Sequence, residues 1–124
     1  MKTILIVDDD AQVRWALAEN LADLGYTVHR ECSGSDALGT LQRLAEKGEL
    51  PGVVVTDFDM PEMTGEGLIK ACRADPTLAK IPFILCSGDM NSGKIADSLW
   101  VPFHSKFERF NHLVDKIKKI LEET

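Results

Sequence analysis

The sequence predicts an α/β fold, a doubly wound parallel sheet of five strands and five helices. Three observations carry this. Short apolar runs alternate five times with stretches of helical period. The strongest runs are continuous rather than alternating, as strands covered on both faces should be. At 124 residues the chain has room for one domain, and it is long enough to bury a core without disulfide or metal staples.

Taken in order, Ile4-Leu5-Ile6-Val7 is a β-rich run that stops at Asp8-Asp9-Asp10. Val13, Leu17, Leu21 and Leu24 then recur at helical spacing, with Gly25 as the stop. Residues 26–30 alternate and form a weaker second strand. Ala37, Leu38, Leu41, Leu44 and Ala45 make the second helix, closed by Gly48. Val53-Val54-Val55 leads into Thr56 and Asp57, and a third helix begins at Thr64 and carries Leu68, Ala71 and Cys72. Ile81-Pro82-Phe83-Ile84-Leu85-Cys86 leads into Ser87-Gly88, followed by a short helix around Ile95, Ala96 and Leu99. Residues 102–105 form a short last strand whose proline suits a sheet edge. Phe110, Leu113, Val114, Ile117, Ile120 and Leu121 give the clearest helical stripe.

Composition excludes several functions. The net charge is −6 and no basic patch is present, which argues against direct nucleic-acid binding. No apolar run approaches the roughly 20 residues of a membrane span, and the first is too short for a signal peptide. Cys32, Cys72 and Cys86 fit neither a disulfide framework nor a zinc spacing, so they read as reduced thiols of a cytoplasmic protein.

The strand ends carry the chemistry. Asp8, Asp9 and Asp10 follow the first strand, Asp57 the third, Ser87 the fourth and Lys106 the fifth. Ligands of open α/β sheets bind at the carboxyl ends of the strands, so these groups converge on one crevice. Asp10 alone is adequately explained as a helix cap. Asp8, Asp9, Asp57 and Lys106 together carry −2. Carboxylates this close raise one another's pKa, and a hard divalent cation such as Mg²⁺ resolves the repulsion while leaving room for phosphate oxygens. Asp57 would then attack phosphorus to form an acyl phosphate. The metal and Lys106 would stabilise the transferring oxygens, and Ser87 would donate to one of them.

The segments Ile4-Leu5-Ile6-Val7-Asp8-Asp9-Asp10, Thr56-Asp57-Phe58-Asp59-Met60-Pro61-Glu62-Met63-Thr64-Gly65, Leu85-Cys86-Ser87-Gly88 and Ser105-Lys106-Phe107 resemble a response-regulator receiver domain of bacterial two-component signalling. The resemblance covers the whole chain, 1–124. It implies a flavodoxin-like sheet of order 2-1-3-4-5. It implies Asp57 as phosphoacceptor, with Asp9, Asp57 and the backbone carbonyl of Asp59 as direct Mg²⁺ ligands and Asp8 reaching the metal through water. Ser87 is implied as the switch hydroxyl, Lys106 as the phosphate-binding lysine and Phe103 as the switch aromatic. The implied donor is a phosphohistidine on a histidine kinase or phosphotransfer domain. The implied output is a downstream protein that reads the face of the fourth helix, fifth strand and fifth helix. Such a chain is a signalling domain, not an enzyme in the turnover sense. The first helix, with Arg14 and Trp15 on its exposed face, is the expected docking site for the donor. The start at Met1 and compact end at Thr124 favour a free-standing receiver over an excised one.

Departures from the family pattern are specific. Phe107 stands where proline usually follows the lysine in a cis bond. A cis non-proline bond costs about 3–4 kcal/mol, so a trans Lys106–Phe107 bond is expected. Leu99-Trp100-Val101-Pro102 replaces the usual small residues before the last strand, so the fourth helix should be short or irregular, with Trp100 exposed or capping the core. Asp59 and Asp89 add negative charge beside the site and should modulate phosphorylation. Two rival readings remain open on the sequence alone. Asp57-Phe58-Asp59 also resembles the nucleophile motif of haloacid-dehalogenase-type phosphatases, and the chain could be an interaction module that works without phosphorylation.

Overall fold

The computed structural model describes residues 2–123; Met1 and Thr124, the ends of the expected domain, lie outside the described residues. Ten elements alternate along the chain. They are β1 (Thr3–Val7), α1 (Ala11–Asp23), β2 (Thr27–Glu31), α2 (Gly34–Glu46), β3 (Val53–Asp57), α3 (Gly65–Ala74), β4 (Phe83–Ser87), α4 (Ser92–Leu99), β5 (Phe103–Ser105) and α5 (Phe110–Glu123). All strand pairings are parallel, in the order β2-β1-β3-β4-β5. This is the order that the resemblance implies.

The continuous apolar runs follow from a sheet covered twice. Along a strand, side chains alternate between faces. Ile4, Ile6, Val53, Val55, Ile84 and Cys86 meet Leu21 of α1 and Leu113, Val114, Ile117 and Leu121 of α5. Leu5, Val7, Val54, Phe83 and Leu85 meet Ala37 and Leu41 of α2, Leu68, Ile69 and Cys72 of α3, and Ala96 and Leu99 of α4. Every residue of β3 and β4 is buried, whereas the edge strand β2 is only partly so. That difference is why β2 reads weakly in the sequence.

Helix starts and stops obey local chemistry. Asp10 Oδ1 caps α1 by accepting the Gln12 and Val13 amides at 2.9 and 3.2 Å. Ser33 and Thr64 cap α2 and α3 through the Asp36 and Gly67 amides. Gly25 and Gly48 follow α1 and α2 at φ 97° and 69°, a region that favours glycine. The expected α1 stripe is corrected at its end: Leu24 is the C-cap and 53% exposed, while Ala18 joins Leu21 in the core. α4 is short, as expected, and stops at Trp100, which adopts φ 59°, ψ 40° and is 92% exposed. No cis peptide occurs among the described residues, so the Lys106–Phe107 bond is trans, as expected.

This topology sets the site. The chain leaves β1 in one direction to form β2 and returns past it to form β3. The sheet therefore reverses order between β1 and β3, and their carboxyl ends open the crevice of a doubly wound sheet.

Candidate functional site

Asp8 follows β1 and Asp57 ends β3, and both are nearly buried, at 3% and 4% exposure. Asp9 beside them is exposed. One carboxylate oxygen from each of the three lies within 4.8 Å of the other two. Asp8 is held through side chain and backbone alike. Its Oδ1 accepts the Asp10 amide at 2.9 Å, its carbonyl accepts Arg14 Nη1 at 2.8 Å, and its own amide donates to the Glu31 carbonyl at 3.2 Å. Behind Asp57, a Cβ added to Gly65 would sit 2.4 Å from the Asp57 carbonyl oxygen, so glycine is what lets α3 start this close. The Phe58 amide donates to the Cys86 carbonyl at 2.8 Å and the Gly65 amide to the Phe58 carbonyl at 3.0 Å, closing the loop after β3.

Lys106, just past β5, reaches across the crevice. Its Nζ lies 3.1 Å from Asp57 Oδ1 and 3.6 Å from Asp8 Oδ2. Its backbone amide donates to the Ser87 carbonyl at 2.9 Å, which ties the ends of β4 and β5 together. The sequence-predicted set Asp8, Asp9, Asp57 and Lys106 is thus brought together at one place.

The charges do not balance. Burial, then the Asp8 charge, pushes the Asp57 carboxyl up to about 6 despite Lys106. Burial also raises Asp8, against the opposing Asp10 amide and Lys106. Burial works against the Lys106 ammonium as well, yet Asp57 and Asp8 outweigh it and raise its pKa. Three carboxylates facing one ammonium are under-neutralised, and every donor is an oxygen. That donor set fits a small hard cation of the Mg²⁺ kind.

The other predicted residues flank this centre. Ser87 is fully buried, and its Oγ accepts the Asp89 amide at 3.0 Å. Asp59 and Asp89 are exposed, and neither carboxylate joins the three-carboxylate cluster. Asp89 Oδ1 instead accepts the Asn91 amide at 2.9 Å before α4. Phe103 is half-buried in β5 and lies over Gly93 of α4. On α1, Trp15 is 61% exposed, and the half-buried Arg14 donates from Nη1 to the Asp8 carbonyl at 2.8 Å.

Behind Lys106 lies a group that the motif reading missed. A cavity of about 210 Å³ is lined by Asp8, Cys86 and Lys106 together with His104, Glu108 and Leu113. Glu108 Oε2 is 3.1 Å from Lys116 Nζ, 3.4 Å from His112 Nδ1 and 3.9 Å from His104 Nδ1. A hydrogen bond from the Ser105 amide, then one from Lys116, holds the Glu108 carboxyl down at about 2. Burial, then Lys116, lowers His104. Burial, then the Asp57 charge, pushes the Cys86 thiol up to about 12, so it stays neutral in the wall of the site. The available sequence signal was Ser105 followed three residues later by Glu108.

Known proteins share this arrangement of elements. The response regulator receiver domain family matches residues 4–103, a stretch that ends before Lys106, so the lysine's place rests on the geometry above. Chemotaxis protein CheY of Pseudomonas aeruginosa is 33% identical over 128 aligned residues, which cover 96% of this chain and 95% of that protein. Sensor kinase CckA of Brucella abortus is 41% identical over 86 residues, 69% of this chain, but the chain spans only 9% of that kinase's length. The signal receiver domain of a histidine kinase from Syntrophus aciditrophicus has the same fold. Its TM-score is 0.87 at 25% identity, covering 100% of this chain and 92% of that one. With a family match across most of the sequence and a near-full-length relative at that identity, the chain belongs to the response regulator receiver domain family of two-component signalling.

Proposed function

We propose that this chain, as one receiver domain over residues 1–124, accepts a phosphoryl group on Asp57 and uses it to switch a protein-interaction face. The observation that carries the reading is the placement of Asp57 Oδ1 3.1 Å from Lys106 Nζ, beside two further carboxylates at the point where the sheet reverses. The donor is a phosphohistidine on a histidine kinase or phosphotransfer domain. The relatives support this class, since one is a sensor kinase and one a chemotaxis protein.

A carboxyl that titrates near 6 is about nine-tenths ionised at pH 7, so the nucleophile is available without a base. One Asp57 oxygen forms a bond to phosphorus as the P–N bond breaks, and the electron pair of that bond leaves with the imidazole. Lys106, already beside Asp57 Oδ1, places its ammonium where the equatorial oxygens gather charge. The Ser87 hydroxyl accepts one amide and engages its own proton with no other described residue, which suits it to donate to a phosphoryl oxygen. Asp8, Asp9, Asp57 and the Asp59 backbone carbonyl would hold Mg²⁺. When bound, the ion supplies charge neutralisation at those oxygens.

Movement of Ser87 toward the new phosphoryl group, with Phe103 turning inward, would pass the charge to α4, β5 and α5, where a downstream protein reads it. On this reading the chain is a cytoplasmic signalling domain that makes and loses its own acyl phosphate, not an enzyme acting on external substrates. Among the described residues no helix is long and apolar enough to cross a membrane.

Incubation with acetyl phosphate, with and without Mg²⁺, followed by intact mass, tests this. One phosphoryl group should appear only with Mg²⁺ and never on Asp57→Asn. A folded protein that gains no mass and releases no inorganic phosphate would overturn the proposal. Sustained turnover of a generic phosphatase substrate would instead support the phosphatase reading of Asp57 and Asp59.

A further inference from the structure

Lys106 has a long stem with a point charge at its tip. Its ammonium must sit about 3 Å from Asp57, so something must fix the backbone from which that stem leaves. The turn that carries it holds its own lock. Ser105-Lys106-Phe107-Glu108 has the Ser-x-x-Glu spacing of a capping box. Glu108 Oε1 accepts the Ser105 amide at 3.1 Å, and Ser105 Oγ accepts the Phe107 amide at 3.2 Å. The Glu108 amide donates to the Ser105 carbonyl at 3.0 Å. α5 starts only at Phe110, so this box closes the turn around the lysine and not a helix start.

The other oxygen of the same carboxylate faces α5. Oε2 meets Lys116 at 3.1 Å and His112 at 3.4 Å, with His104 of β5 at 3.9 Å. The two oxygens therefore act in different places. Oε1 closes the lysine's turn, and Oε2 moors that turn to α5. Phe107, standing where the family usually has a proline, is 83% exposed and cannot pin the turn by packing.

We propose that Glu108 is a positioning residue for Lys106, holding the turn so that the ammonium meets Asp57. The proposal rests on Asp57 being the phosphoacceptor. It predicts that the acceptor oxygen toward Ser105 matters more than the charge toward Lys116.

The test compares Glu108→Ala with Glu108→Gln, which keeps an acceptor for the Ser105 amide and removes the charge. Three readouts are taken: acetyl-phosphate labelling rate by intact mass, Mg²⁺ affinity by calorimetry, and hydrogen exchange of the Ser105 amide by NMR. A misplaced catalytic charge costs on the order of tenfold or more, so Glu108→Ala should label about tenfold more slowly and Glu108→Gln within about threefold of the parent. Ser105 exchange should quicken by about tenfold in the Ala variant alone. Mg²⁺ affinity in that variant should be unchanged or tighter, because Asp8, Asp9 and Asp57 remain and a competing ammonium is loosened. Parental labelling by Glu108→Ala, or equal loss in both variants, would overturn the proposal. So would a collapse of Mg²⁺ binding alongside the rate, which marks general loss of structure. If the parent itself takes no phosphoryl group, the phosphoacceptor reading fails, and Ser105 exchange still decides whether Glu108 holds the turn.

Discussion

Replacing Asp57 with Asn should remove the phosphoacceptor and yet stabilise the protein at neutral pH. The Asp57 carboxyl titrates at about 6 when folded, against an ordinary value of 3.8, because burial and Asp8 disfavour the anion more than Lys106 favours it. A carboxyl whose folded pKa lies above its unfolded value costs stability when ionised. The cost is absent below about pH 4, grows between about 4 and 6, and is complete at pH 7. At 1.36 kcal/mol per pH unit, the difference corresponds to about 3 kcal/mol. Asn keeps an acceptor oxygen for Lys106 but loses the charge of that contact, so the net gain should be about 1–3 kcal/mol. In a chain of this length that raises Tm by several degrees, on the order of 3–6 °C per kcal/mol. Urea unfolding without divalent cations at pH 7.5 and again at pH 4, followed by far-ultraviolet circular dichroism, measures it. The Asn variant should unfold at higher urea at pH 7.5 and lose that advantage at pH 4. An Asn variant no more stable at pH 7.5, or equally favoured at both pH values, would refute the electrostatic reasoning.

Lys106→Met removes the ammonium that lies 3.1 Å from Asp57 Oδ1. Acetyl-phosphate labelling should slow by about 10²–10³-fold, as for loss of a preorganised charge-stabilising donor, with intact mass as the readout. Gly65→Ala would press a methyl group to 2.4 Å from the Asp57 carbonyl and 2.8 Å from Leu85 Cδ1. It should lower stability by about 1–3 kcal/mol, seen as a lower urea midpoint at unchanged slope. Trp100→Gly relieves a left-handed residue at φ 59° whose side chain is 92% exposed and has almost no burial to lose. It should raise stability by about 0.5–1 kcal/mol, read by the same titration.

The features legible in the sequence were those fixed by strong local chemistry. Continuous runs such as Ile4-Leu5-Ile6-Val7 announce strands covered twice, and the structure divides them between two apolar clusters. Asp8, Asp9, Asp57 and Lys106 were legible as a site because strand ends in such a sheet meet at one edge. Leu24 misled because periodicity reports spacing and not the point where a helix ends; it falls one residue past α1. The contact of Arg14 was not legible because position on a helix face says nothing about a partner, and its guanidinium finds the Asp8 carbonyl six residues back. The cluster of His104, Glu108, His112 and Lys116 was hidden for another reason. It joins β5 to α5 through side chains whose contacts depend on how the two elements pack.

The site is organised around an unfavourable charge distribution, and its reactivity follows from that. Asp57 and Asp8 are both raised by burial, so the folded chain holds anions it would be more stable without. Any ligand that brings positive charge to this crevice relieves the repulsion, and relief that occurs only in the folded state appears as affinity. Lys106 alone is too little, as the raised carboxyls show even with its Nζ within 3.6 Å of both. A fully neutralising arrangement, for example a second lysine in place of Asp9, would give a more stable domain that has less use for a cation. The instability that Asp57→Asn would remove is therefore one part of what draws a divalent ion to the cluster, since burial and the Asp8 charge both disfavour the Asp57 anion. A variant series at Asp9 and Asp57 should show stability without Mg²⁺ and stabilisation by Mg²⁺ moving in opposite directions.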